Sequence, residues 1–155
     1  MRSARPIALA AVAFALSAVV VPPASAAEPV EDAPRHCTYI VDTGKVACFN
    51  TLAKAQAFNA KGEYRDLGRI WSHSNSGGDS LTYRGSVGCG WRYPEFSYIG
   101  DFWNDKVSSA QGLACPITLW EHSDFRGAHQ TYHGYNAYVG DGMNDKASSI
   151  SFDLH

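Results

Sequence analysis

Apolar residues fill positions 6–21 almost without a break, and no later stretch repeats a run of that length. Arg2 and Arg5 precede it, and Pro22, Pro23 and the small residues Ala24, Ser25, Ala26 and Ala27 come after it. A positive start, an apolar stretch and a small-residue exit predict a secretory signal peptide over 1–27, cut after Ala26 or Ala27. The apolar run falls short of the roughly 20 residues that a membrane-spanning helix needs. Residues 28–35 are polar, carry Pro29 and Pro34, and read as a linker. The apolar stretches Cys37–Val41 and Val46–Phe49 flank Asp42-Thr-Gly-Lys45, which predicts a β-hairpin with Gly44 at positive φ. Thr51 then reads as the cap of a short helix through about Asn59, stopped by Gly62. A hairpin and one short helix bury little by themselves. The 28–67 segment is therefore expected to pack on the C-terminal remainder of the chain, or to serve as a removable or partner-binding extension. From Gly68 onward the apolar positions alternate in short stretches broken by glycine, the pattern of strands.

That second region repeats itself. Ile70-Trp-Ser-His-Ser-Asn-Ser-Gly-Gly-Asp-Ser-Leu-Thr-Tyr-Arg-Gly85 aligns with Leu119-Trp-Glu-His-Ser-Asp-Phe-Arg-Gly-Ala-His-Gln-Thr-Tyr-His-Gly134 at an offset of 49. Tyr98-Ile-Gly-Asp-Phe-Trp-Asn-Asp-Lys-Val-Ser-Ser109 aligns with Tyr138-Val-Gly-Asp-Gly-Met-Asn-Asp-Lys-Ala-Ser-Ser149 at an offset of 40. The difference is extra loop in the first copy, around Gly88–Phe96. Each copy predicts a four-strand β unit, too small to bury both faces alone, so the two are expected to pack as a sandwich. The expected division is a first copy over 68–114 and a second over 115–155.

Composition narrows the function. The 155 residues carry a net charge of −2, with 18% charged and 45% apolar residues, which fits one globular domain with a real core. Without Arg2 and Arg5, the mature chain has 11 basic and 15 acidic residues and a charge of about −4. It lacks the basic excess of a nucleic-acid binder, and no membrane association is expected once the leader is removed. Export gives the four cysteines an oxidising setting, so two disulfides are expected. Four cysteines allow three pairings, and the sequence alone does not choose. Proximity favours Cys37–Cys48 and Cys89–Cys115, the latter stabilising by roughly 3 kcal/mol on the chain-entropy model.

The two copies resemble the Greek-key motifs of the βγ-crystallins. The folded first hairpin of that family carries an aromatic residue, a second aromatic five positions later, and a glycine seven positions later. Trp120, Phe125 and Gly127 fit; Trp71 and Gly78 fit, with Ser76 in place of the middle aromatic. That departure is expected to loosen the first hairpin's packing while leaving its turn. Microbial members bind calcium through the pattern N/D-N/D-x-x-S/T-S, and Asn104-Asp-Lys-Val-Ser-Ser109 and Asn144-Asp-Lys-Ala-Ser-Ser149 both match it throughout. The resemblance implies an all-β, βγ-crystallin-like sandwich of two Greek keys, preceded by the hairpin-plus-helix extension.

It also implies two calcium sites, each built from both loops. The ligands carried over are the side chains of Asp105 and Asp145, the hydroxyls of Ser108 and Ser148, and the main-chain carbonyls of Lys106 and Lys146. A further carbonyl comes from the residue after each hairpin tryptophan, Ser72 and Glu121, while Asn104 and Asn144 brace the loops. Which ligand serves which site stays open. Calcium takes six to eight oxygens, and so few formal charges per site fit the roughly 10⁻⁴–10⁻³ M affinities of extracellular modules.

Other constellations carry less. His122, His129 and His133 invite a zinc reading, but on a strand His129 and His133 would stand about 13 Å apart, so surface roles are favoured. His73 and His122 recur with the hairpin and read as packing or hydrogen-bonding residues. No nucleophile-elbow pattern appears, and no enzymatic activity is expected. In the inserted loop, Trp91, Arg92, Tyr93 and Phe96 are of the types enriched in binding hot spots and are candidate partner contacts. The competing reading has these aromatics filling the sandwich end or covering the extension. Two function classes remain: a secreted, monomeric calcium-binding protein with a structural or protective role, and a secreted proteinase inhibitor or toxin-like binder. The second rests on fold-level similarity to bacterial metalloproteinase inhibitors and killer-toxin-like proteins, with an extracellular proteinase or other secreted protein as partner.

Overall fold

The computed structural model describes residues 35–58, 64–86, 88–89 and 94–152. The expected leader, the linker as far as Pro34, Asn59 and Gly62 at the expected end and stop of the helix, and Trp91, Arg92 and Tyr93 lie outside the described residues. Among those described, no helix is long and apolar enough to cross a membrane.

The described residues open with the expected hairpin. Strands β1 (His36–Ile40) and β2 (Lys45–Phe49) pair antiparallel in a register that sets Cys37 opposite Cys48. These two cysteines are bonded. Gly44 takes φ +69° and its N–H reaches the Ile40 carbonyl at 2.8 Å, closing the turn. Helix α1 (Leu52–Ala57) starts where the Thr51 hydroxyl accepts the Lys54 N–H. It ends earlier than the sequence pattern implied, because Phe58 turns extended and its N–H caps the carbonyls of Lys54 and Ala55. The Thr38 hydroxyl donates to the Ala55 carbonyl at 2.8 Å and fastens the helix onto β1.

Among the described residues eight further strands follow: β3 (Arg65–Trp71), β4 (Ser80–Gly85), β5 (Glu95–Phe96), β6 (Ser109–Gly112), β7 (Ile117–His122), β8 (Arg126–Tyr132), β9 (Tyr135–Asn136) and β10 (Ser149–Ser151). The strands form two sheets, ordered β2-β1-β4-β3-β6-β9 and β5-β10-β7-β8. The fold is all-β, and each copy contributes four strands. The third strand of each copy crosses to the other copy's sheet: β5 pairs with β10, and β9 pairs with β6. Ile70 and Leu81 of the first sheet meet Ile117, Leu119 and Ile150 of the second in one buried core.

The extension is part of this architecture. Strand β1 runs parallel to β4, from His36 opposite Ser80 to Ile40 opposite Arg84, and widens the first sheet. Of the roles open to the 28–67 segment, its described residues take the packed one. Beneath α1, the guanidinium groups of Arg69 and Arg84 are buried and share the carboxylate of Asp66. Arg84 also donates to the Phe58 carbonyl at 2.6 Å, tying the end of the helix to the sheet.

His36 brings a pH dependence. Burial holds its pKa below the ordinary imidazole value of 6.5; the charge of Asp79 opposes this and that of Arg69 assists it. The unfolded chain therefore binds the proton more readily, and stability falls as the pH drops through the unfolded value toward the lower folded one. Thermal melts between pH 7.5 and 5 are expected to show a downward trend that is shallower in His36→Gln. Superimposable trends for the two chains would remove His36 as a cause.

Candidate metal centre

The backbone repeats the copies' shared pattern with more fidelity than the side chains do. Positive φ recurs at Asn75 and Asp124, Ser76 and Phe125, Gly78 and Gly127, Gly100 and Gly140, and Asp105 and Asp145. Each hairpin thus folds over itself after its tryptophan. At Gly127 (φ +80°) an added Cβ would lie 2.9 Å from His122 Cδ2 and 3.1 Å from Glu121 Cβ, so a side chain has no room.

Each N-D-K-x-S-S loop begins with a tight turn. The carbonyl of Gly100 accepts the N–H groups of Trp103 and Asn104, and that of Gly140 accepts those of Met143 and Asn144. Trp103 and Met143 are buried there and anchor the turns in the core. Left-handed Asp105 and Asp145 then reverse the chain, and the two loops hold each other reciprocally. Asp105 N–H donates to Ala147 O and Asp145 N–H to Val107 O, each at 3.1 Å. Ile99 N–H donates to Ser148 O and Val139 N–H to Ser108 O, each at 3.0 Å.

The loops are also sewn to the hairpins. Ser108 N–H reaches the Trp71 carbonyl at 3.0 Å, and Ser148 N–H the Trp120 carbonyl at 2.9 Å. The last serine of each motif closes the joint: Ser109 Oγ donates to His73 O and accepts from Ser76 N–H, while Ser149 Oγ donates to His122 O and accepts from Phe125 N–H. The hairpin is held through backbone groups, so Ser76 supports the same turn as Phe125. Where Trp120 meets Phe125 at 6.1 Å between ring centres, Trp71 instead meets Tyr135 of the other copy at 6.2 Å.

Three oxygens from three segments come together at the first copy. Ser108 Oγ lies 3.1 Å from the Ser72 carbonyl and 3.2 Å from Asp145 Oδ1. The first copy's serine and hairpin thus face the second copy's aspartate. Asn144 Nδ2 donates to the other carboxylate oxygen of Asp145 at 2.8 Å, and Asn104 does the same for Asp105 at 2.7 Å, which is a bracing geometry. A cleft of about 410 Å³ opens over these groups, lined also by His73, Asp79, Asp105 and Lys106. In the second copy the backbone exchange brings Asp105 to Ala147 and Ser148 to Trp120, beside Glu121 and Lys146.

Asp79 is a residue that the motif did not supply. Its N–H is held by Ser72 Oγ at 2.9 Å; the second copy has Ala128 at that position, with its N–H held by the Glu121 carboxylate at 3.2 Å. The acid has moved across the hairpin between copies, which a position-by-position comparison of the repeats makes visible.

Each loop carries two carboxylates and one lysine. The Tyr98 hydroxyl is pushed above its usual range, first by its hydrogen bond to Asp101 (2.6 Å), then by slight burial and by the charges of Asp101 and Asp105. Tyr138 is shifted the same way by Asp141 and Asp145. Carboxylate, hydroxyl and carbonyl oxygens suit a hard cation such as calcium. Among the described residues, no three side chains of His, Cys, Asp or Glu gather as a metal site, so any cation here would rest on hydroxyl and main-chain oxygens beside single carboxylates. His122, His129 and His133 are exposed, and His129 stacks on Trp120 at 4.2 Å. His73 Nδ1 lies 2.8 Å from the Ser72 carbonyl, a hydrogen-bonding role. Of the candidate contacts in the inserted loop, the described Phe96 is half-buried and packs on Tyr39, Tyr83 and Phe152, covering the extension. The disulfide Cys89–Cys115 ties that loop down.

No family model matches this chain, and no curated protein does. Among solved structures, the chain is similar to a βγ-crystallin domain from Clostridium beijerinckii, with 19% identity over 57% of this chain and 99% of that one, at a TM-score of 0.45. It is also similar to a βγ-crystallin domain from Flavobacterium johnsoniae (22% identity, 55% of this chain and 91% of that one, TM-score 0.42). A third is the N-terminal domain of Protein S (14% identity, 56% and 96%, TM-score 0.44). These likenesses concern the fold.

Proposed function

We propose that this chain is an exported, non-enzymatic calcium-binding protein of the βγ-crystallin type, in which two calcium ions fasten the duplicated halves to each other. The observation that carries the reading is the meeting of Asp145 from one copy with Ser108 and the Ser72 carbonyl from the other. One site would draw on Ser72, Lys106, Ser108 and Asp145; the other on Glu121, Lys146, Ser148 and Asp105. Bound calcium would supply charge neutralisation and oxygen coordination only. The chain's own groups do the positioning: Asn104 and Asn144 orient the carboxylates, and the left-handed turns present them to the opposite copy. Its role is stabilising, structural or protective, outside the cell.

Because the ligands belong to different copies, the ion binds the folded state alone. At calcium ten times the dissociation constant each site adds about 1.4 kcal/mol, so two add about 2.8 kcal/mol. Calorimetric titration is expected to show two sites, and chelator to lower the melting temperature by several degrees. The double variant Asp105→Ala, Asp145→Ala is expected to melt alike in calcium and in chelator. An absence of titration heat, together with identical melts of the natural chain in both conditions, would reject the proposal.

A further inference from the structure

A second concavity, of about 450 Å³, lies between the β1–β2 hairpin and the 98–103 loop. Its volume falls in the range of small-molecule sites. Buried Leu81, Ile99 and Trp103 line it, with the Cys37–Cys48 disulfide as part of one wall. Val46, Tyr98 and Phe102, also lining it, are each at least a third exposed, so large apolar side chains cluster here rather than scattering singly.

Charge marks the same place. The Arg35 guanidinium lines the groove and sits 4.4 Å from the centre of the Phe102 ring, and Lys106 Nζ sits 4.3 Å from the same ring. Among the described residues neither cation forms an ion pair; the pairs present use Arg69, Arg84 and Arg126. The carboxylates nearby are those of Asp79, which accepts the Arg35 backbone N–H at 2.6 Å, Asp101, held by the Tyr98 hydroxyl, and Asp105, held by Asn104; none of them is within ion-pair distance of either cation. Aromatic walls with a cation at the edge match a flat apolar body bearing an anion. The planar guanidinium is suited to a carboxylate or sulfonate because it presents parallel donors.

We propose that this groove binds a small aromatic acid, its rings over Ile99 and Trp103 between Val46 and Phe102, its anionic group at Arg35. The test is a fluorescence titration of the mature chain with 1-anilinonaphthalene-8-sulfonate. It is run in chelator, so that the result is independent of calcium. Saturable binding of one probe per chain is expected. Arg35→Gln is expected to weaken it about tenfold, the scale of one charge-assisted hydrogen bond. Val46→Asp, on an exposed position, is expected to weaken it at least as much. Leu113→Asp adds the same charge at an exposed residue outside the groove and is expected to keep the natural affinity. The neutral analogue N-phenyl-1-naphthylamine, which lacks the sulfonate, is expected to bind about tenfold more weakly. Non-saturable binding, equal affinity for the neutral analogue, equal effects of Leu113→Asp and Val46→Asp, or a signal that tracks self-association in sedimentation would each overturn the proposal.

Discussion

Asp66→Ala is expected to destabilise the protein by about 3–5 kcal/mol, the scale for removing one partner from a buried ion pair. The Arg69 and Arg84 side chains are only 6% and 7% exposed, and Asp66 serves both, with Oδ1 at 2.5 Å from Arg84 Nε and Oδ2 at 3.4 Å from Arg69 Nη2. Burial already presses the Arg69 pKa down, and the Asp66 charge is what opposes it. Without that carboxylate two guanidinium groups share a space closed by α1. Arg69 would retain Thr82 Oγ1 at 2.6 Å and, with its amide oxygen turned inward, Gln56 at 3.1 Å. Arg84 would retain the Phe58 carbonyl. Those acceptors satisfy protons but carry no compensating charge. Urea unfolding measures the loss, with Asp66→Asn expected to fall between the natural chain and the alanine variant. A cost below about 1 kcal/mol would mean that water enters and solvates the arginines, as at surface pairs.

Phe152→Ala is expected to cost a similar amount, about 3–5 kcal/mol, by a different route. The side chain is fully buried and its ring centre lies 5.2 Å from that of Tyr83 and 6.3 Å from that of Phe96. Phe96 in turn meets Tyr39 edge-on at 5.3 Å. These four rings come from β1, β4, β5 and the residue after β10, so the vacancy would sit where both sheets and the extension converge. Backbone bonds on every side, including Phe152 N–H to the Pro94 carbonyl at 3.1 Å, limit how far the walls can close. Phe152→Leu, which leaves a smaller void, is expected to cost less. Equal melting temperatures for the natural and alanine chains would show that the cluster does not hold the layers together.

The repeat carried most of what the sequence revealed. Its aligned glycines and Asx residues occupy matched left-handed positions, so the turns could be anticipated from local chemistry and the facing loops from the family resemblance. The disulfides were legible from short separations within a hairpin and a loop. Other features leave no local trace. Strands β5 and β9 are two residues each, too short to show alternation, so their exchange between sheets was hidden. Parallel addition of β1 to β4 spans 44 residues of chain and depends on tertiary packing alone. Asp66, Arg69 and Arg84 belong to no motif of the sequence, and only the folded sheet brings them together. The meeting of the two loops also needed coordinates, since spacing cannot say that Asp145 turns toward Ser108 of the opposite copy.

The exchange of β5 and β9 means that neither half possesses a finished sheet of its own. Such halves are prone to trade strands with a neighbouring molecule as they mature. The Cys89–Cys115 bond lies across the junction between them and leashes the inserted segment of one to the first residues of the other. Once it has formed, the loop it closes keeps strand β5 beside the half whose strand β10 it pairs with, which favours that partner over the same strand of another molecule.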